Sequence, residues 1–194
     1  MIQSEAAWVS TGAIIMGLDG VEIVMRTEET FGVEIPDKIA ELILTPAALV
    51  DFVAANVPLK PTHECLSQQL FYRLRRGFRS QLKALSSKFD LDTPLKEVLH
   101  KNQWPQVWEA IRNEVGQPEW PASIPWPGLL SSGPKTVREL IWHVAASLPK
   151  PDVAAGEAWT RPRIQAEIRR IVGEQVGAWD YSLNARFVDD IGIS

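Results

Sequence analysis

Cysteine is nearly absent from this chain of 194 residues: Cys65 stands alone, so no internal disulfide framework exists and a reducing, cytoplasmic setting is expected. Long apolar runs are missing as well. The longest, around Ala13–Leu18, falls far short of the roughly 20 residues a membrane-spanning helix needs, and no basic cluster precedes it as in a secretory leader. Histidine occurs three times, and His63, Glu64 and Cys65 of THEC have no second cluster at zinc-ligand spacing, so no metal site is expected. No Gly-rich phosphate loop and no Ser-His-Asp arrangement is visible, and no catalytic residue is assigned. Alternating apolar and polar residues of strand type are also lacking, which leaves an all-α chain.

What is present is a 45% hydrophobic, 23% charged composition that supports a packed core, and an uneven field. Residues 1–60 hold nine acids (Glu5, Asp19, Glu22, Glu28, Glu29, Glu34, Asp37, Glu41, Asp51) against Arg26, Lys38 and Lys60. Between Tyr72 and Phe89 stand Arg73, Arg75, Arg76, Arg79, Lys83 and Lys88 with no acid among them. Fields of opposite sign invite contact within or between chains. The net charge of −4 and the lack of a base-reading motif speak against nucleic acid as a partner.

Helical spacing and punctuation mark the elements. Leu18, Val21 and Val24/Met25 repeat on an amphipathic helix that Phe31-Gly32 ends. Thr45-Pro46 opens another, with Leu49, Phe52 and Val53 as its buried stripe. A longer helix is predicted from about Leu66 to Ser87, with Leu70, Phe71, Leu74, Phe78, Leu82 and Leu85 on one face and the arginines on the other. WPQVWEAIRNEVG closes at Gly116, and the Pro-rich QPEWPASIPWPGLLSSGPK reads as an ordered, extended connection. Thr136 and Glu139 have capping-box spacing ahead of VRELIWHVAASL. The last helix sets Ile164, Ile168, Ile171, Val172 and Gln175 along one side and stops at Gly177, and the tail offers Phe187 and Ile191 as anchors. Most of the eight tryptophans are expected in cores or packed loops.

MGLDGVEIVMRTEETFGVEIPDKIAELILTPAALVDFV, residues 16–54, resembles the second half of an acyl carrier protein, where a helix of the form TVELVMALEEEFGIEI leads through a short irregular segment to a last helix. Leu18-Asp19, Val21-Glu22 and Phe31-Gly32 fall on the family's Leu-Asp, Val-Glu and Phe-Gly. Residues 160–194 resemble the first half, with ARFVDDIGIS matching ASFVEDLGAD, so the halves stand in reversed order. The resemblance implies a four-helix bundle built from 1–60 together with 158–194, closed within one chain or by exchange of terminal segments between copies. Residues 61–157 resemble a degenerate second copy.

In that family a Ser at the start of the second helix carries a phosphopantetheine arm. Gly17 occupies that position here, and Gln103 occupies it in the middle copy, so no arm is expected at either. Ser194, aligned one residue earlier, is the alternative attachment point. The acidic face by which carriers are read by basic enzymes falls on Asp19, Glu22, Glu28 and Glu29, with Arg26 departing from the family's uncharged residue. The implied function is a non-catalytic, acyl-carrier-like interaction protein whose partners are proteins of fatty-acid or polyketide acyl transfer. A working carrier armed at Ser194 and a self-assembling structural module are the alternatives.

Overall fold

The computed structural model describes residues 17–82, 89–127 and 133–193. Glu5, Ala13, Lys83, Leu85, Ser87, Lys88 and Ser194, named above, lie outside them. The described residues are all-α and contain no strand. Eight α-helices follow in order: α1 (Leu18–Phe31), α2 (Asp37–Ala40), α3 (Pro46–Asn56), α4 (Leu66–Gln81), α5 (Leu95–Val98), α6 (Trp104–Val115), α7 (Val137–Ser147) and α8 (Arg161–Val176). A 3₁₀ turn, Lys101–Gln103, leads into α6, and one π-helical turn, Phe187–Ile191, lies in the tail. None of these helices is long and apolar enough to cross a membrane.

Local chemistry sets five of the helix ends. Thr45 Oγ1 accepts the Ala48 N–H at 3.2 Å with Pro46 behind it, and Gly32, Gly116 and Gly177 stop α1, α6 and α8 at φ of 65°, 63° and 73°, in the left-handed region where a side chain is disfavoured. Thr136 caps α7 by accepting from Glu139 N at 3.2 Å, but the Glu139 carboxylate reaches back to the N–H of Lys135 rather than that of Thr136, closing the box one residue earlier than the spacing predicts.

Two hydrophobic cores result. One joins the two ends of the chain: Ile23 and Phe31 of α1 and Leu49, Val50 and Val53 of α3 pack with Trp159, with Ile164, Ile168, Ile171 and Val172 of α8, and with Phe187 and Ile193 of the tail. Ile191, the expected anchor, is only half-buried; the π turn carries the chain past it and seats Ile193 instead. The other core gathers Leu70, Leu74 and Phe78 of α4, Trp108 and Ile111 of α6, and Leu140 and Val144 of α7. The Pro-rich connection, where it is described, runs over α6 and is tied there by two indoles: Trp104 Nε1 donates to Ile124 O (2.6 Å) and Trp108 Nε1 to Pro121 O (3.1 Å).

Helix α8 belongs to both cores. Its isoleucines face α1 and α3, while Ala166 enters the middle core and α7 packs along the same side. A short backbone pairing fixes its approach, with Trp159 N–H donating to Pro58 O and Lys60 N–H to Trp159 O, both at 2.8 Å.

Candidate functional site

Helix α1 carries two apolar stripes; of the expected Leu18, Val21 and Val24/Met25, only Val24 is half-buried against the core, and the fold buries the other stripe. Gly20, Ile23, Thr27 and Phe31 face inward, Thr27 satisfying its hydroxyl on Ile23 O at 2.7 Å. Leu18, Val21 and Met25 point outward at 88%, 46% and 53% exposure. The reason is the partner surface: Ile23 and Phe31 fill the space against α3, α8 and Trp159, whose ring lies 4.7 Å from that of Phe31. An apolar stripe left in solvent and edged by carboxylates has the make-up of a protein-docking surface.

The four acids assigned to that surface divide by position. Glu29 is exposed and has no partner among the described residues. Glu22 is exposed on its other side but shares with Asp19 the amide of Gln175, which donates to Glu22 Oε2 at 3.2 Å and to Asp19 Oδ1 at 2.9 Å. Glu28 accepts the N–H of Ile35 at 2.6 Å and so holds the turn after Gly32. Two of the four therefore serve in part to fasten α1 to α8, and a third shapes the turn. Arg26 joins them in this role, because it pairs with Glu174 of α8.

Behind α1 runs a line of ion pairs along α8. Glu174 also accepts from Arg170 (2.9 Å), Arg170 donates to Glu167 (2.9 Å), and Glu167, fully buried, has Lys150 at 3.8 Å and Arg163 at 4.0 Å. Arg163 in turn donates to the carbonyls of Ala145, Leu148 and Pro149, closing the C-terminal end of α7, where a cation also suits the helix dipole. On the next face Arg169 donates to Trp179 O (2.8 Å) and Tyr181 O (3.0 Å) and lies over the rings of Trp142 and Tyr181 at 4.5 and 4.1 Å. Burial pushes the Tyr181 phenol above its ordinary range against the opposing charge of Arg169. Gly173 is required beside this cluster, since a Cβ there would stand 2.5 Å from the Trp179 ring, itself stacked on His143 at 3.8 Å.

Burial raises the Glu174 carboxyl, but the hydrogen bond from Arg26 and the charge and hydrogen bond of Arg170 outweigh it and hold the group below its ordinary 4.5. A carboxyl depressed in the folded state stabilises the fold above its unfolded pKa, and that contribution is lost as pH falls through the folded value. Thermal unfolding followed from pH 6 downward should lose stability below about pH 4.5, and Glu174→Gln should flatten that acid limb. An unchanged limb in the variant would remove Glu174 from the account.

Gly17 and Gln103, the positions the resemblance sets against the carrier serine, both have local structural places. Gly17 is the N-cap of α1, in extended conformation, and carries no side chain to cap or to react. Gln103 is occupied as a local brace, its Oε1 accepting the His100 N–H at 3.1 Å ahead of α6. Next to the head of α1, Gly20, Ile23, Ala40, Ile43, Phe187 and Ile193 line a narrow cavity of about 30 Å³. His63, Glu64 and Cys65 are exposed, and no group of side chains able to hold a metal ion occurs among the described residues.

Sequence reasoning missed three structural features: the outward apolar stripe, the α1–α8 clasp through Arg26 and Gln175, and the buried Glu167. Only the first had a signal in the sequence, namely apolar residues on more of α1 than one buried stripe requires. No protein-family model matches the chain, and no solved structure matches it. What the fold defines is therefore a class: an all-α chain in which a helix bearing an acidic and apolar face is braced from behind by a charged helix.

Proposed function

We propose that this chain is a non-catalytic interaction protein of acyl-carrier-like architecture that works without a phosphopantetheine arm. Its docking surface is the outer face of α1, and its partners are basic proteins of acyl transfer, such as ketosynthases and transferases of a fatty-acid or polyketide system. The observation that carries the reading is the exposed stripe Leu18, Val21 and Met25 with Glu22 and Glu29 along one side, on a helix whose head offers no hydroxyl at Gly17. Apolar residues at the centre of such a patch supply most of the affinity, and the acids steer the approach and select a basic partner. Occupying a carrier's docking site without delivering a substrate would scaffold or restrain the enzyme.

Capture of ketosynthases and transferases by the immobilised chain tests it. The native chain should retain them, and Val21→Arg, at a position half-exposed and outside the core, should weaken capture about tenfold or more with the thermal midpoint unchanged. No capture by the native chain, or equal capture by the variant, contradicts the reading.

The alternative of a working carrier armed at Ser194, which lies outside the described residues, is separated by intact mass after incubation with coenzyme A and a phosphopantetheinyl transferase. An unchanged mass is expected, and a gain of the arm's mass would replace the interaction reading with the carrier one. Exchange of terminal segments between copies would reuse the contacts that α8 makes with α1 and α3 here, so it would preserve the α1 face.

A further inference from the structure

Helix α4 presents an unpaired basic surface that the α1 reading leaves unused. Arg73, Arg75, Arg76 and Arg79 line, with Gln69 and Tyr72, a concave groove of about 580 Å³. Arg73 donates to Gln117 Oε1 at 2.7 Å, and the Nε of Arg75 is buried without a partner. Among the described residues no carboxylate lies within ion-pair distance of any of the four. Tyr72, 51% exposed, also borders a second cleft of about 260 Å³, whose walls include Phe71, Leu91, Ile141 and Trp142. A row of guanidinium groups thus runs beside an apolar slot.

The opposite arrangement exists on the same chain. On α1, Leu18, Val21 and Met25 stand exposed, with Glu22 and Glu29 at their side. The spans agree: Glu22 to Glu29 covers about 10 Å of helix and Arg73 to Arg79 about 9 Å, at 1.5 Å per residue. We infer that the α4 groove of one copy seats the α1 face of a second copy, carboxylates against arginines and the Leu18/Met25 side in the slot beside Tyr72. The two patches differ and every copy carries both, so the contact propagates head to tail unless two copies pair α1 to α4 reciprocally about a twofold axis. This inference rests on the reading of α1 as a docking face, and it adds self-masking: a copy seated on α1 excludes the basic enzyme.

Sedimentation velocity over a concentration series at low and high salt tests it on the full chain. The native protein should pass from its 21.7 kDa monomer to larger species as concentration rises, less so at high salt, where exposed charges are screened. Arg76→Glu/Arg79→Glu and Glu22→Arg/Glu29→Arg should each remain monomeric alone, with native circular dichroism, and should assemble when mixed, since each then offers the charge the other lacks. Monomer at every concentration overturns the inference, as does assembly that survives both pairs of reversals, which would indicate exchange of terminal segments. Saturable binding of a labelled single-stranded RNA, lost in Arg76→Glu/Arg79→Glu while the native chain stays monomeric, assigns the groove to phosphate and also overturns it. The arginine variant leaves α1 intact and should still capture ketosynthases and transferases. A native chain that stays monomeric yet captures the enzymes therefore rejects this inference alone, whereas absent capture by the native chain rejects the docking reading.

Discussion

Trp159→Ala should destabilise the protein by about 3–5 kcal/mol, the range for deleting a buried large aromatic side chain. Trp159 is 2% exposed and lies where the two ends of the chain meet: its ring packs on Phe31, and its backbone pairs with Pro58 and Lys60. Alanine keeps the backbone pairing and empties the space between α1 and α8, so the cost is that of the cavity and of lost contact with Phe31. Against a total stability of about 5–15 kcal/mol, such a loss leaves a large part of the molecules marginally folded. Equilibrium urea unfolding measures it, and Trp159→Phe, which refills part of the space, should recover a substantial share. A loss under about 1 kcal/mol would mean that the ends do not form one core.

Glu167→Ala should cost about 3–5 kcal/mol by a different route, the exposure of an imbalance of buried charge. Glu167 is fully buried and meets three cations, Arg170 at 2.9 Å, Lys150 at 3.8 Å and Arg163 at 4.0 Å. Without it Arg170 keeps Glu174 and Arg163 keeps its carbonyls, but both stay in surroundings where burial penalises their charge. At about 2–4 °C per kcal/mol for a chain of this length, the thermal midpoint should fall by about 6–20 °C. Glu167→Gln, which retains shape and an acceptor for Arg170, should lose less than alanine does. The double change Glu167→Leu/Arg170→Leu should lie closer to the native protein than Glu167→Ala, since removing both members of a buried pair spares the unpaired charge. If Glu167→Ala matches the native midpoint, the line of ion pairs along α8 contributes nothing measurable to the fold.

The parts of this fold that are set by neighbours in sequence were legible in it. Thr45-Pro46, Phe31-Gly32, Gly116 and Gly177 place helix ends through chemistry that acts over one turn, and the isoleucines of α8 mark the face that α1 and α3 cover. The outer face of α1 was not legible, because Leu18/Val21/Met25 and Ile23/Thr27/Phe31 both fit a helical period. The choice is made by α8, more than 130 residues away in sequence. Arg26 looked like an interruption of an acidic surface for the same reason, since Glu174 is brought to it only by the fold. Glu167 sits in RPRIQAEIRRIVGEQ, where a charge-rich string reads as a solvated face, whereas the fold packs α8 against α7 as well as α1 and α3 and leaves Glu167 buried. The four-residue α2 and the turn at Phe187–Ile191 are too short for a periodic signal, which is why Ile193 rather than Ile191 proved the buried anchor.

The most direct test of the account joins the ends covalently. In a Cys65→Ser background, cysteines at Arg26 and Glu174, whose side chains pair across α1 and α8, are treated with a short bismaleimide in dilute protein and the product mass is read under denaturing conditions. Rapid, near-complete linkage at the mass of one chain is the predicted result. Linkage only at the mass of two chains, or none under conditions where each cysteine alone reacts with a monofunctional maleimide, would contradict a bundle completed by its own terminal helix.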